Sequence, residues 1–99
     1  MALFIYAGYD GPDGAEKRPG LRPNHLDHLS QLDADGRILF AGPLKDAQGA
    51  PCGSLIVMEA KDLAEARAIA DNDPYTIGGV FERVDVFESL QVFPKTVTD

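Results

Sequence analysis

Two histidines, His25 and His28, stand three residues apart in the segment Arg22-Pro23-Asn24-His25-Leu26-Asp27-His28 and are the only imidazoles in the chain. Imidazole is the side chain best matched to proton transfer near neutral pH. At about 100° per residue, the helical stripe set by Leu26, Leu29 and Leu32 contains His25 about 40° from its centre and leaves His28 about 100° away, at its margin. His25 is therefore expected to be partly buried and held by neighbours, and His28 to lie nearer solvent. The same spacing applied to Leu63, Ala66, Ile69 and Ala70 carries their apolar stripe on to Asp73. There the negative end of the helix and apolar neighbours both disfavour a carboxylate unless a cation or a donor is close. Should two helices pack antiparallel on one sheet face, His25 and Asp73 can meet as a dyad in which the carboxylate fixes the imidazole tautomer. The plainer readings are a hydrogen-bonded histidine at the edge of the core and a turn aspartate before Pro74.

Other chemistry is less well supported by spacing. His25 and His28 can share a helical face as metal ligands, but two ligands fall short of the usual three or four, and the lone Cys52 sits among proline and glycine in an expected turn. Tyr9-Asp10-Gly11-Pro12-Asp13-Gly14 lacks the spacing and the bidentate glutamate of a calcium loop. It reads as a turn, or as a loop that moves over a pocket.

The elements that must position these residues follow from apolar periodicity and turn chemistry. Ala2 to Gly8 reads as a strand, followed by a loop to about Gly20. Pro23 to Asp35 reads as a helix with proline at its first position and Gly36 as its stop. Arg37 to Ala41, closed by Gly42-Pro43, and Gly53 to Ala60 read as strands joined through a polar hairpin at Lys45 to Gly49. Asp62-Leu63-Ala64-Glu65 has capping-box spacing and opens a second helix to Asn72, which Pro74 ends. Val84, Val86, Leu90 and Val92 alternate with Arg83, Asp85, Ser89 and Gln91 in a long last strand, bent near Glu88-Ser89.

This βαββαβ order is that of an α+β, ferredoxin-like fold: a four-stranded antiparallel sheet with both helices on one face. The first and third strands are apolar on both sides, Leu3 and Ile5 against Phe4 and Tyr6, and Leu55 and Val57 against Ile56 and Met58. Such strands want cover on both faces, and two helices cover only one. A symmetric homodimer packed sheet to sheet is the expected remedy.

Composition narrows the partners. The chain has 99 residues, 44% of them hydrophobic and 25% charged, which suits one globular domain spanning residues 1–99 with a core of its own. Nine basic against sixteen acidic residues give a net charge of −7, which repels nucleic-acid phosphates and anionic lipid. One cysteine permits no intrachain disulfide, and the first residues carry no signal-peptide pattern, so a cytoplasmic location is expected. Lys17, Arg18, Arg22 and His25 form a local basic exception.

Beyond these physical readings, the chain resembles the YciI-like (YCII) family of the dimeric ferredoxin-like α/β-barrel group. The resemblance is carried by Tyr6-Ala7 with Asp10, Glu16-Lys17-Arg18, Arg22-Pro23-Asn24-His25-Leu26, Gly36-Arg37, Ala41-Gly42-Pro43, Gly53-Ser54, Asp73-Pro74-Tyr75 and Gly79-Val80, in that order and spacing. It implies an active site built on one histidine and one aspartate, which fall here on His25 and Asp73. It also implies acid/base work without a cofactor on a small cyclic or aromatic substrate, in the manner of a lyase, an isomerase or a dehalogenase. A characterised relative removes chloride from a chlorinated hydroxyquinol, and the wider fold group includes muconolactone isomerases and small monooxygenases. Arg22 and Ser54 are candidate contacts for an anionic or phenolic ligand. The competing expectation is a dimeric binding or accessory protein that uses the same cavity without chemistry.

Overall fold

The computed structural model describes residues 1–95. Its elements are β1 (Ala2–Asp10), α1 (Gly14–Ala34), β2 (Ile38–Lys45), β3 (Pro51–Ala60), α2 (Leu63–Asp71), α3 (Pro74–Ile77) and β4 (Phe81–Ser89). The strands form one antiparallel sheet in the order β2-β3-β1-β4, as the ferredoxin-like reading requires. Among the described residues, no helix is long and apolar enough to cross a membrane.

Alternation along the two central strands assigns the sheet faces. Phe4 and Tyr6 on β1 and Ile56 and Met58 on β3 are buried under the helices together with Leu32, Ala66, Ala70 and Tyr75. The register places Phe40, Val57, Ile5 and Phe87 in one row across all four strands of the opposite face. At the ends of that row Phe40 and Phe87 are 54% and 55% exposed, so an apolar band lies without intrachain cover. A groove of about 620 Å³ runs between this face and the segment following β4.

Several boundaries depart from the sequence expectation. Helix α1 begins at Gly14 rather than Pro23 and carries both Pro19 and Pro23 inside it. Each interior proline deletes a backbone hydrogen bond and costs about 3 kcal/mol where no other contact compensates. The compensation here is tertiary: Arg18, in the added turns, is tied to β1 and β3 through its side chain. The Tyr9 to Gly14 segment is accordingly no lid. Tyr9 and Asp10 end β1, and a tight turn in which the Gly14 amide donates to the Gly11 carbonyl leads straight into α1.

Strand β2 runs through Gly42-Pro43 to Lys45, which an edge strand permits because the missing proline N–H can face outward. Asp46 then closes the hairpin by accepting from the Gln48 and Ala50 amides, with Gly49 at φ +81°. Cys52 is an exposed residue within β3, not in a turn. Strand β4 ends at Ser89, leaving Leu90 and Val92 82% and 62% exposed beyond it. The capping box of α2 forms as its spacing predicts, with Asp62 accepting from the Glu65 amide, although the Glu65 carboxylate accepts from the Lys61 amide rather than from that of Asp62.

Candidate active site

Helix α2 stops at Asp71, and the chain then starts a new turn of helix instead of a plain loop. Asp73 is the N-cap of α3 and Pro74 its first residue, a position where a missing N–H costs nothing. The Asp73 carboxylate, fully buried, points back to collect three donors. His25 Nδ1 lies 2.7 Å from Oδ1, the Tyr75 amide donates to Oδ1 at 2.9 Å, and the Tyr6 hydroxyl donates to Oδ2 at 3.0 Å. A buried carboxylate without such partners would carry a large desolvation cost. Here α1, α3 and the central strand β1 each contribute a donor. The Tyr6 hydroxyl is pushed well above the usual tyrosine range, first by burial and then by the adjacent Asp73 charge, so it remains a donor.

A carboxylate flanked by donors accepts from His25, which places the ring proton on Nδ1 and leaves Nε2 as the free acceptor. Among the described residues His25 Nε2 has no protein partner but is not sealed from solvent, in contrast to His28 Nε2, the one fully buried side-chain nitrogen or oxygen there that lacks a partner. Burial holds His28 below the usual histidine range, and it faces a separate cavity with Gln31 and Asn72. His25 is thus the more buried of the two, as the helical stripe predicts, but His28 is itself half-buried and turns its Nε2 inward rather than to solvent. Among the described residues no group of three or more His, Cys, Asp or Glu is arranged to hold a metal ion.

Tyr75 completes the setting of His25. The two rings stack at 3.8 Å between centroids and 7° between planes, and Phe81 meets Tyr75 edge-on at 5.7 Å. Phe81 in turn lies flat on Gly8, where an added Cβ would come within 2.5 Å of its ring. An aromatic ring face also favours the charged imidazolium through cation–π attraction.

His25, Tyr75 and Ser54 line a cavity of about 230 Å³ together with Arg18 and Arg22, walled by Leu26, Leu29, Ile56 and Pro43. Among the described residues no carboxylate lines it. Arg22, expected as an anion contact, is exposed at the rim and makes no ion pair or hydrogen bond among the described residues. Ser54, buried on β3, accepts from Arg18 Nη2 at 3.3 Å. Both residues are thus brought to the same cavity as the dyad.

Sequence reasoning assigned no role to Tyr6, Asp10 or Tyr75, and named Arg18 only within the basic cluster with Lys17, Arg22 and His25. Arg18 stands seven residues before His25, two turns along the same helical face, but starting the helix at Pro23 hid that relation. Asp10 receives Arg18 Nε at 2.7 Å and Nη2 at 2.8 Å, a bidentate pair with both side chains mostly buried.

Comparison with known proteins places the chain in a family and supports its fold. A model of the YCII-related domain matches residues 2–89. The protein YciI of Escherichia coli is 39% identical over 97 residues, covering 92% of this chain and 99% of that protein. An uncharacterised protein of Haemophilus influenzae is 33% identical over 96 residues, covering 91% and 98%. Among solved structures, the 5-chloro-2-hydroxyhydroquinone dehydrochlorinase of Burkholderia phenoliruptrix, in complex with 2,5-dihydroxybenzoquinone, superposes with a TM-score of 0.77 at 30% identity, covering 86% of this chain and 90% of that one. An antibiotic biosynthesis monooxygenase, at 15% identity and a TM-score of 0.54, shares the fold alone.

Proposed function

Since the chain belongs to the YCII-related domain family, we propose that it is a small-molecule enzyme in which His25 is the general base and acid and Asp73 orients it, without a cofactor. The observation that carries this reading is the buried bond from His25 Nδ1 to Asp73, with Nε2 left open on the wall of a cavity. In the neutral ring Nε2 takes a proton from the substrate. Asp73 and the Tyr75 ring face stabilise the imidazolium that results, and the proton is then returned at the leaving group or at a second ring atom. Removing such a group costs about 10²–10⁴-fold in rate.

Size and lining set the substrate class. A cavity of about 150 Å³ takes up benzene, so the 230 Å³ found here suits one six-membered ring with a few substituents. Arginines at the wall, with no carboxylate among the described lining residues, favour a phenolic or anionic ring over a cationic one. The dehydrochlorinase that this chain resembles acts on a ring of that size and oxygenation, which supports dehalogenation, elimination or isomerisation of a hydroxyquinol or lactone. A panel that includes 5-chloro-2-hydroxyhydroquinone, read by chloride release and product chromatography, tests this. Thermal shifts without product across the panel would favour the binding or accessory alternative.

We further propose that the protein, a single domain over residues 1–99 in the cytoplasm, works as a homodimer. The uncovered row of Phe40, Val57, Ile5 and Phe87 supports a second copy against the open sheet face. Light scattering at micromolar concentration should give twice 10.7 kDa, and a monomer would overturn it. Nucleic acid and membranes are not partners in this proposal, given the net charge of −7.

A further inference from the structure

Of the two arginines at the cavity, the one that the sequence offered only as part of a basic cluster is the one that the protein builds into place. Arg18 donates from Nε and Nη2 to the two oxygens of Asp10, and from Nη2 also to the Gly53 carbonyl at 2.9 Å and to Ser54 Oγ at 3.3 Å. Its side chain is only 13% exposed. Nε and Nη2 are thus fully committed, and Nη1 meets no acceptor at hydrogen-bond distance among the described residues, although the Tyr75 hydroxyl lies near enough to the guanidinium to interact with it. Nη1 is also not one of the sealed orphan atoms, so it reaches open space, and the residue lines the same cavity as His25. The guanidinium carbon lies 5.0 Å from the centre of the Tyr75 ring that stacks on His25.

Charge separates the two arginines further. Arg18 is neutralised by Asp10 at bonding distance, so it offers an oriented donor more than a net positive field. Arg22 has no such partner among the described residues and sits exposed at the rim, where solvent and salt screen it. A flexible rim cation attracts anions of any shape. A pinned donor recognises an oxygen at one place.

We propose that Arg18 is the specificity-determining residue of this cavity, its Nη1 donating to an anionic or enolic ring oxygen of a monocyclic ligand whose reacting atom faces His25 Nε2. Asp10, Gly53 and Ser54 hold the guanidinium so that this donor is aimed before the ligand arrives. The ligand class follows: a single ring carrying at least one acidic hydroxyl or oxyanion away from the atom that exchanges a proton with His25. This inference rests on the proposed small-molecule role of the cavity and adds to it the oxygen that the ligand must carry.

The test uses 2,5-dihydroxybenzoquinone, whose hydroxyls are readily ionised vinylogous acids, and its neutral dimethyl ether, 2,5-dimethoxybenzoquinone. Both are titrated by calorimetry into the wild-type protein and the R18M, R18K and R22Q variants. Wild type should prefer the dihydroxy probe, and R18M should lose about 10- to 100-fold for it, the worth of one charge-assisted hydrogen bond, with little change for the ether. R18K should behave like R18M, because an ammonium cannot hold Asp10, Gly53 and Ser54 while presenting another donor to the cavity. R22Q should show a smaller loss that disappears at high salt.

A folded R18M protein that keeps the preference for the dihydroxy probe overturns the assignment, as does an equal loss for both probes. Should R18M fail to fold, arginine side-chain nitrogen resonances of the wild type decide. Saturation with the dihydroxy probe should shift those of Arg18, and unmoved signals overturn the proposal. Wild type that binds neither probe would refute the ring-ligand reading of the cavity itself. Binding indifferent to Arg18 refutes only the role given to that residue.

Discussion

Replacing Tyr6 with phenylalanine removes one oxygen from the centre of the molecule and nothing else. Tyr6 and Asp73 are both fully buried, and the Tyr6 hydroxyl is the sole protein donor to Asp73 Oδ2 among the described residues. A hydrogen bond to a charged group contributes about 1.5–3 kcal/mol, and stranding a buried charged acceptor puts this substitution in the upper half of that span. For a domain of this size each kcal/mol moves the melting temperature by about 4–8 °C, so Tyr6→Phe should melt at least about 9 °C lower. Urea unfolding should show the midpoint falling with an unchanged slope. Tyr9→Phe is the control, since Tyr9 is 38% exposed and makes no such bond.

The same residue fixes the alkaline limb of stability. With the folded-state Tyr6 held well above its ordinary value, the unfolded chain releases a proton near pH 10 that the folded chain keeps. The unfolded state then binds fewer protons, and stability falls as pH rises beyond about 10. Tyr6→Phe should flatten that fall. A Tyr6→Phe protein within about 0.5 kcal/mol of wild type, with an unaltered alkaline limb, would refute the view that Asp73 is held by all three donors.

Other outcomes follow from the surroundings of the dyad. His28→Leu should stabilise the protein by about 1 kcal/mol in urea, because it removes a buried nitrogen with no partner. It should also flatten the loss of stability on acidification below about pH 6.5, where the unfolded chain takes up a proton that the desolvated folded His28 resists. Gly8→Ala drives a methyl into the Phe81 ring and should cost about 1–3 kcal/mol, with a changed near-ultraviolet spectrum as the Phe81–Tyr75–His25 stack shifts. Asp62→Ala, which removes the side-chain cap of α2 far from the cavity, should cost about 1 kcal/mol in stability and leave activity untouched.

Much of the frame was legible because it depends on local pattern. Alternation in Leu3-Phe4-Ile5-Tyr6, the Asp62 to Glu65 cap and the hydrophobic run of β3 each report their element through a two-residue or a helical period. His25 was separable from His28 on the same grounds. The start of α1 was not legible, because Pro19, Gly20 and Pro23 argue locally against helix, while what overrides them is a contact from Arg18 to Asp10, Gly53 and Ser54 across the fold. Losing those turns also hid the alignment of Arg18 with His25, leaving Arg18 legible only as one member of a basic cluster. The stripe extrapolated to Asp73 reached the right place for an incomplete reason. Pro74 begins a short helix that Asp73 caps, and it is this cap that turns the carboxylate inward toward His25 and Tyr6.

Activity of the folded His25→Ala variant is the most direct measurement of the role given to the dyad. Wild type and His25→Ala, matched by circular dichroism and melting temperature, are assayed against the hydroxyquinol and lactone panel on any substrate that wild type converts. A His25–Asp73 acid/base pair predicts that product formation falls by about 10²–10⁴-fold in His25→Ala while binding of the ring ligand survives. Asp73→Asn should fall in the same direction, because the carboxylate that fixes the tautomer is gone. A folded His25→Ala protein that turns over substrate as fast as wild type would contradict it.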